Sequence, residues 1–363
     1  MNSFNFRITF LILTGLFQCA CSTSGGKENS TIQGQNKVVE TKTSSQKILT
    51  GSDSTNWNGV SFVSPSNEIG KLEIEKPATI VSANALCFMP YGFISENSTE
   101  LKFDSQWQWW GEKTDGTTAM IRLAKEAKYK IMLKPHVWKD HGAFTGNHRY
   151  EIEKQWIDFE KSYTAYILNF AAIAEAEQLD LFCIGTEWGD FVKARPDYWT
   201  KLIAQIREIY SGKLTYAANW DEYQRVPFWD QLDFIGVDAY FPLVNADTPS
   251  TEELELALLP FNDRLKRISD SLGKKILFTE YGFRSRDNAT FKPWESDRGG
   301  ESNMQIQINA YQAFYNTFWG KDFVAGGFLW KWFSNHDDVG GLENSGFTPQ
   351  NKPVEKLIKQ IYL

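Results

Sequence analysis

The chain has 363 residues, with 38 Lys and Arg against 45 Asp and Glu, a formal net charge of −7. An acidic balance suits a phosphate backbone poorly, because that partner needs clustered cations, so no nucleic-acid partner is expected. Hydrophobic residues at 42% and charged residues at 23% are a folding composition and exclude extended disorder.

Residues 1–20 read as an export signal. Arg7 supplies the positive charge, and Ile8 to Phe17 form a short apolar run. That run is below the ~18 residues needed to span a bilayer but fits a signal peptide's apolar centre. It ends in Leu16-Phe17-Gln18-Cys19-Ala20-Cys21-Ser22, which resembles the cleavage box of bacterial lipoproteins. The resemblance implies lipid on Cys21, which follows the small Ala20. It also implies a cell-envelope location, on the periplasmic or cell-surface side of the outer membrane. Membrane contact would then be through the anchor only. Ordinary secretion with cleavage nearby is the alternative. Residues 21–55 are rich in Ser, Thr, Gly, Asn, Gln and Lys with no period of 2 or 3.6, the pattern of a flexible tether.

From residue 56 to 363 short apolar runs alternate with amphipathic stretches. Strands are expected at 59–64, 83–90, 130–137, 181–187, 214–219, 234–240, 276–280 and 327–332. Helices are expected at 117–128, 196–210, 251–272, 303–319 and 353–362. A further helical stripe runs Ile152, Trp156, Phe159, Tyr163, Tyr166, Ile167, Phe170, Ala174, at spacings of three and four. Pro196 fits a first helical turn, and Pro260 is expected to kink or split its helix. The elements after the first and fifth strands are weak. This alternation predicts an α/β fold, a single (β/α)8 barrel. An open doubly wound sheet competes, but the first strand ends in Ser64-Pro65-Ser66-Asn67, without a Gly-rich phosphate loop.

A (β/α)8 barrel carries its active site at the C-terminal ends of its strands. The fourth strand ends in Gly185-Thr186-Glu187-Trp188, and the seventh in Phe278-Thr279-Glu280-Tyr281-Gly282. A lone strand-end Glu is usually solvated. Two, each after an apolar strand and before an aromatic residue, supply the carboxyl pair that glycoside hydrolysis needs. A separation of about 5–5.5 Å implies retention of configuration, and roughly 6.5–9.5 Å implies inversion.

From Trp57 onward a series of motifs spans the strands and their ends. The motifs are Asn58-Gly59-Val60-Ser61-Phe62-Val63, Phe88-Met89-Pro90-Tyr91-Gly92-Phe93 and Lys134-Pro135-His136-Val137-Trp138. They continue with Ile184-Gly185-Thr186-Glu187, Gly236-Val237-Asp238-Ala239-Tyr240-Phe241-Pro242 and Thr279-Glu280-Tyr281-Gly282. The tail Gly346-Phe347-Thr348-Pro349-Gln350-Asn351-Lys352-Pro353 resembles the turn into the last helix. With these motifs the segment from Trp57 onward resembles clan A glycoside hydrolases, and most closely glycoside hydrolase family 113, and the resemblance implies retaining hydrolysis of β-1,4-mannan, with Glu187 as acid/base and Glu280 as nucleophile. The same catalyst on another β-glycan is a first alternative. A cell-surface barrel that binds glycan without cleaving it is a second. The chain departs from many clan members at Thr186, where they carry Asn on the sugar 2-hydroxyl. Asn219 at the end of the fifth strand could substitute.

Tyr240 is a candidate donor to Glu280, or else a buried Tyr bonded to backbone. Trp138, Trp188, Trp220 and Trp330 stand at or just past strand ends and could pack on pyranose C–H faces. Packing under a loop is the alternative for each, and Trp330 is the first choice. Trp107, Trp109 and Trp110 could form a further subsite or merely fold their loop. His136 and Lys134 share a strand parity; either could bind a hydroxyl, or Lys134 could serve as an ion-pair partner. The four His form no zinc spacing, so neither a metal nor another cofactor is expected. His336-Asp337-Asp338 reads as a solvated turn. Cys87 and Cys183 read as free thiols able to point into the barrel interior. The expected partner is a polysaccharide or oligosaccharide. No oligomeric signal is present, so a monomer is the expectation.

Overall fold

The computed structural model describes residues 56–295 and 300–363. The signal segment, Cys21 and the tether to residue 55 lie outside the described residues. In chain order the elements open with β1 (Trp57–Phe62), α1 (Lys71–Val81), β2 (Ala85–Phe88), β3 (Tyr91–Ile94) and α2 (Thr114–Glu126). Then come β4 (Lys130–Leu133), β5 (His136–Lys139), α3 (Glu153–Ala176), β6 (Leu181–Thr186), α4 (Gly189–Ala194) and α5 (Pro196–Ile209). The chain ends with β7 (Lys213–Asn219), β8 (Ile235–Asp238), α6 (Thr251–Leu272), β9 (Ile276–Tyr281), α7 (Met304–Phe318), β10 (Val324–Trp332) and α8 (Val354–Tyr362).

Eight strands close into a parallel barrel in the order β1-β10-β9-β8-β7-β6-β4-β2, with helices in the connections: the (β/α)8 barrel. Alternate residues of each strand face opposite ways, and this splits the apolar residues into two cores. Ala85, Cys87, Met132, Leu181, Cys183, Ala217, Leu277 and Phe328 form the interior cluster. Leu86, Phe88, Ile131, Phe182, Ile184 and Phe278 pack outward against the helices. Cys87 and Cys183 are buried free thiols in the inner cluster.

Two expected strands are each cut in two by a proline. Pro90 and Pro135 lack an N–H, so the ladder cannot run through them. Beyond the break, β3 and β5 form a separate two-stranded parallel sheet. The strands stay in step because Lys134 N–H donates to Phe88 O and His136 N–H to Pro90 O, at 2.9 and 2.8 Å. The small sheet extends one side of the barrel mouth.

α3 buries Trp156, Phe159, Tyr163, Tyr166, Ile167, Phe170 and Ala174 along the expected stripe. Ile152 falls just outside as the N-terminal flanking residue and is exposed. α6 runs unbroken through Pro260. Leu256, whose carbonyl loses its intrahelical donor there, is exposed, so water can satisfy it. Ser250 and Glu253 exchange capping bonds of 3.2 and 2.8 Å at its start. Of the two weak connections, the first holds α1. The β7–β8 connection holds only a short 3-10 turn at Trp229–Gln231. Among the described residues no helix is long and apolar enough to cross a membrane.

Candidate active site

Both candidate carboxylates sit where a strand departs from regular pairing. The β6–β7 register shifts between Cys183 and Thr186, and Glu187 then adopts a left-handed backbone with φ +53°. For a non-glycine residue this costs ~1–3 kcal/mol and persists only where the surroundings fix it. Here Glu187 N–H donates to Ala217 O at 2.8 Å, and Trp188 N–H donates to Tyr216 Oη at 2.7 Å. Gly185 is required behind this turn. A Cβ there would lie 2.7 Å from Tyr163 Oη and 2.8 Å from the Trp199 ring.

In β9 the pairing with both β8 and β10 slips by one residue between Phe278 and Tyr281. Such a bulge re-aims a side chain. Phe278 and Tyr281 still pack outward on Phe314 of α7, while the two residues between them both turn to the polar cluster. Thr279 Oγ1 donates to Asp238 Oδ1 at 2.7 Å. Glu280 Oε1 accepts from Lys134 Nζ at 2.5 Å, and Glu280 Oε2 accepts from Tyr240 Oη at 2.7 Å.

The surroundings of the two glutamates are opposite in character. Glu280 has a cation and a phenol as donors. Lys134 is fully buried, and Asp238 Oδ1 lies 3.9 Å from its Nζ. Burial alone would lower the Lys134 pKa. The Asp238 and Glu280 carboxylates outweigh that and raise it, so Lys134 stays charged. Burial raises Asp238, against the lowering pull of Lys134. Glu187 is pushed well above the usual carboxylate range, first by burial and then by the charges of Asp238, Glu280 and Glu222. His136 is held well below its ordinary value by burial and by Lys134, so its ring is neutral. Its Nε2 is 3.6 Å from Glu280 Oε1 and has no hydrogen-bond partner.

The other candidate residues divide by position. Trp330 is half-buried, lies nearly parallel to the His136 ring at 6.1 Å, and has Lys134 Nζ 5.9 Å from its own ring. It belongs to the same cluster as Lys134, His136, Tyr240 and Glu280. Thr186 Oγ1 is buried without a partner. Asn219 spends its side-chain oxygen on Trp220 N–H at 2.8 Å. Trp220 stacks on Trp294 at 5.4 Å, and Trp138 is half exposed on β5. Trp188 is not at the cleft. It is 1% exposed and packs among His148, Phe159, Tyr163 and Phe191. The left-handed turn at Glu187 sends the next side chain back into the helix layer, so Trp188 has no ring face to offer a sugar. Trp107 and Trp109 are exposed, whereas Trp110 packs against the core.

Three polar residues of the cluster carried no role in the sequence reading. Asp238 stood inside an apolar strand motif, and a carboxylate within such a run was its only signal. Tyr216 and Glu222 were invisible, because nothing in their spacing links them to Glu187. His336 is anchored as well as turned: its Nε2 lies 2.9 Å from Glu355 Oε1 of α8.

The profile of glycoside hydrolase family 113 matches residues 77–352. A solved family 113 β-1,4-mannanase in complex form is 24% identical, with a TM-score of 0.73 over 85% of this chain and 98% of that one. The family 113 β-mannanase of Alicyclobacillus acidocaldarius in complex with ManMIm is 21% identical, with a TM-score of 0.74 over the same 85% and 98%. Another family 113 β-1,4-mannanase structure is 25% identical, with a TM-score of 0.71 over 84% of this chain and 97% of that one. No curated protein matches the chain.

Proposed function

Because the chain belongs to glycoside hydrolase family 113 and is thus an O-glycosyl hydrolase, we propose that it cleaves β-1,4-linked mannan with retention of configuration. The observation that carries this reading is the contrast between the two strand-end glutamates. One is surrounded by donors and the other by burial and negative charge.

Glu187 is the acid. Its raised pKa keeps a proton available near neutral pH, and it passes that proton to the glycosidic oxygen as the C1–O bond breaks. Glu280 is the nucleophile. Its carboxylate bonds to C1, giving a glycosyl ester and the freed sugar alcohol. Glu187, now ionised, takes a proton from water as that water attacks C1. The ester bond breaks, Glu280 regains its charge, and two displacements leave the configuration unchanged. Lys134 and Tyr240 orient the attacking carboxylate. When Glu280 becomes an ester and loses its charge, Asp238 remains to balance Lys134. Trp330 offers a ring to the sugar at the cleavage point.

The N-terminal pattern around Cys21 supports export and lipid attachment, which would hold the enzyme at the envelope as a tethered monomer. The experiment that tests the catalytic reading is NMR of fresh hydrolysis products. Purified protein is given mannan, glucomannan and cello-oligosaccharides. Release of β-anomers first from mannan is expected. Initial α-anomers would refute retention, and preference for cello-oligosaccharides would refute mannan. Glu280→Ala must abolish turnover of every substrate, and near-normal rates would overturn its role.

A further inference from the structure

Behind the turn that carries Glu187 lies a carboxylate that the two displacements do not use. Glu222, in the β7–β8 connection, is 4% exposed. Tyr216 Oη donates to its Oε1 at 2.7 Å, and Asn219 N–H donates to its Oε2 at 3.2 Å. The same Tyr216 oxygen accepts from Trp188 N–H at 2.7 Å, and Trp188 directly follows Glu187. A hydroxyl has one proton to give. The carboxylate claims that proton, which leaves the Tyr216 lone pairs facing the Trp188 N–H. Glu222 therefore sets the direction of a chain of bonds that ends on the peptide next to the strained Glu187 backbone.

We propose that Glu222 is a positioning residue for the acid/base: through Tyr216 it holds the Glu187–Trp188 peptide and so aims the Glu187 carboxyl at the scissile oxygen. The proposal rests on the reading of Glu187 as acid/base. The packing agrees with it. A Cβ on Gly189, at the start of α4, would lie 3.8 Å from Glu222 Cδ, so the carboxylate lies beside the segment leaving Glu187. The Tyr216 ring is fixed among Trp199, Phe228 and Trp229, so its hydroxyl has little freedom to move.

The charges facing Glu222 come from several elements. Glu187 approaches from the end of β6, and Asp221 and Arg225 sit on its own connection. Asp190 and Lys193 of α4 line the same cavity. Arg225 Nη1 is engaged with Asp221 O at 2.7 Å, and no salt bridge to Glu222 forms among the described residues. Burial pushes the Glu222 carboxyl up to about 7, with the Tyr216 and Asn219 bonds pulling the other way. When ionised, its charge is one of those that favour the proton on Glu187.

Tyr216→Phe and Glu222→Gln test this in the full-length protein, because each keeps the buried shape. The measured quantity is kcat/KM, which reports steps up to formation of the glycosyl ester. It is followed on a manno-oligosaccharide, whose leaving group needs a proton, and on a dinitrophenyl β-mannobioside, whose leaving group does not. Both variants should lose about 10- to 100-fold on the oligosaccharide and stay within roughly twofold on the dinitrophenyl substrate. In Glu222→Gln the alkaline limb of the oligosaccharide profile should move down by about half a pH unit, because a negative charge near Glu187 is gone. Equal losses on both substrates, or no loss on either, overturn the proposal. If the wild-type protein cleaves neither, the functional reading itself has failed. A titration of 13C-labelled glutamate carboxyls then decides: a lowered Glu187 pKa in Glu222→Gln supports the coupling, and an unmoved one refutes it.

Discussion

Lys134→Met is the sharpest perturbation of the nucleophile's surroundings. The substitution keeps a long unbranched side chain and removes one buried charge. Lys134 Nζ bonds Glu280 Oε1 at 2.5 Å, Thr279 O at 3.4 Å, and faces Asp238 Oδ1 at 3.9 Å. Without it, Glu280 and Asp238 share a dry site with no cation between them. Removing one partner of a buried ion pair costs ~3–5 kcal/mol, which for a barrel of this size lowers Tm by about 5–8 °C. Burial and the Glu280 charge raise the Asp238 pKa, and without the lowering pull of Lys134 it rises further, so Asp238 takes a proton. At neutral pH the loss of a charge-assisted bond alone lowers kcat/KM about 10- to 150-fold. Thermal unfolding followed by circular dichroism gives the first quantity, and initial rates at neutral pH give the second. Adding Asp238→Asn to Lys134→Met removes the second carboxylate and should recover part of the lost Tm. Near-wild-type stability together with an unchanged kcat/KM would show that Lys134 does not carry the charge balance of this site.

Glu187→Ala should lose about 1,000-fold or more in kcat/KM on manno-oligosaccharides but little on a dinitrophenyl glycoside. Because burial and neighbouring carboxylates raise the Glu187 pKa, the wild-type rate should fall as pH rises through that raised value, and this alkaline limb should vanish in the variant. Trp330→Ala should raise KM for manno-oligosaccharides about 10-fold, measured by initial rates, with Tm within a few degrees because the ring is only half-buried. Labelled palmitate fed to producing cells should enter the wild-type protein and not Cys21→Ser; labelling of both would place the lipid elsewhere, and labelling of neither would refute lipid attachment.

The barrel is legible in the sequence because its strands are buried on both faces, so each reads as a short apolar run between polar helical stretches. What escapes that reading is local and has physical causes. Pro90 and Pro135 sit inside apolar runs, and only the missing N–H groups tell that each run is two strands serving two different sheets. α1 was weak because Pro77 lies inside it and only Ile74, Pro77 and Val81 are buried. Its existence depends on packing against the barrel more than on its own pattern.

The identity of the catalytic pair was legible, while its aim was not. A strict period of two would place Thr279 and Glu280 on opposite faces of β9. The bulge puts both on one, and no composition signal marks an extra residue in a strand. The left-handed turn at Glu187 has the reverse effect on its neighbour. Counting strand positions suggests that Trp188 reaches the cleft, whereas the turn rotates it into the aromatic layer of α3 and α4. The two effects have one origin. Parity arguments hold along a regular strand and fail at the first irregular residue, and both glutamates sit on such residues. A functional carboxylate at a barrel mouth must face a ligand as well as the barrel interior, and regular pairing offers each side chain only one of two faces. The irregularity is therefore part of how the site is made, and sequence periodicity is least informative at the positions where the chemistry is done.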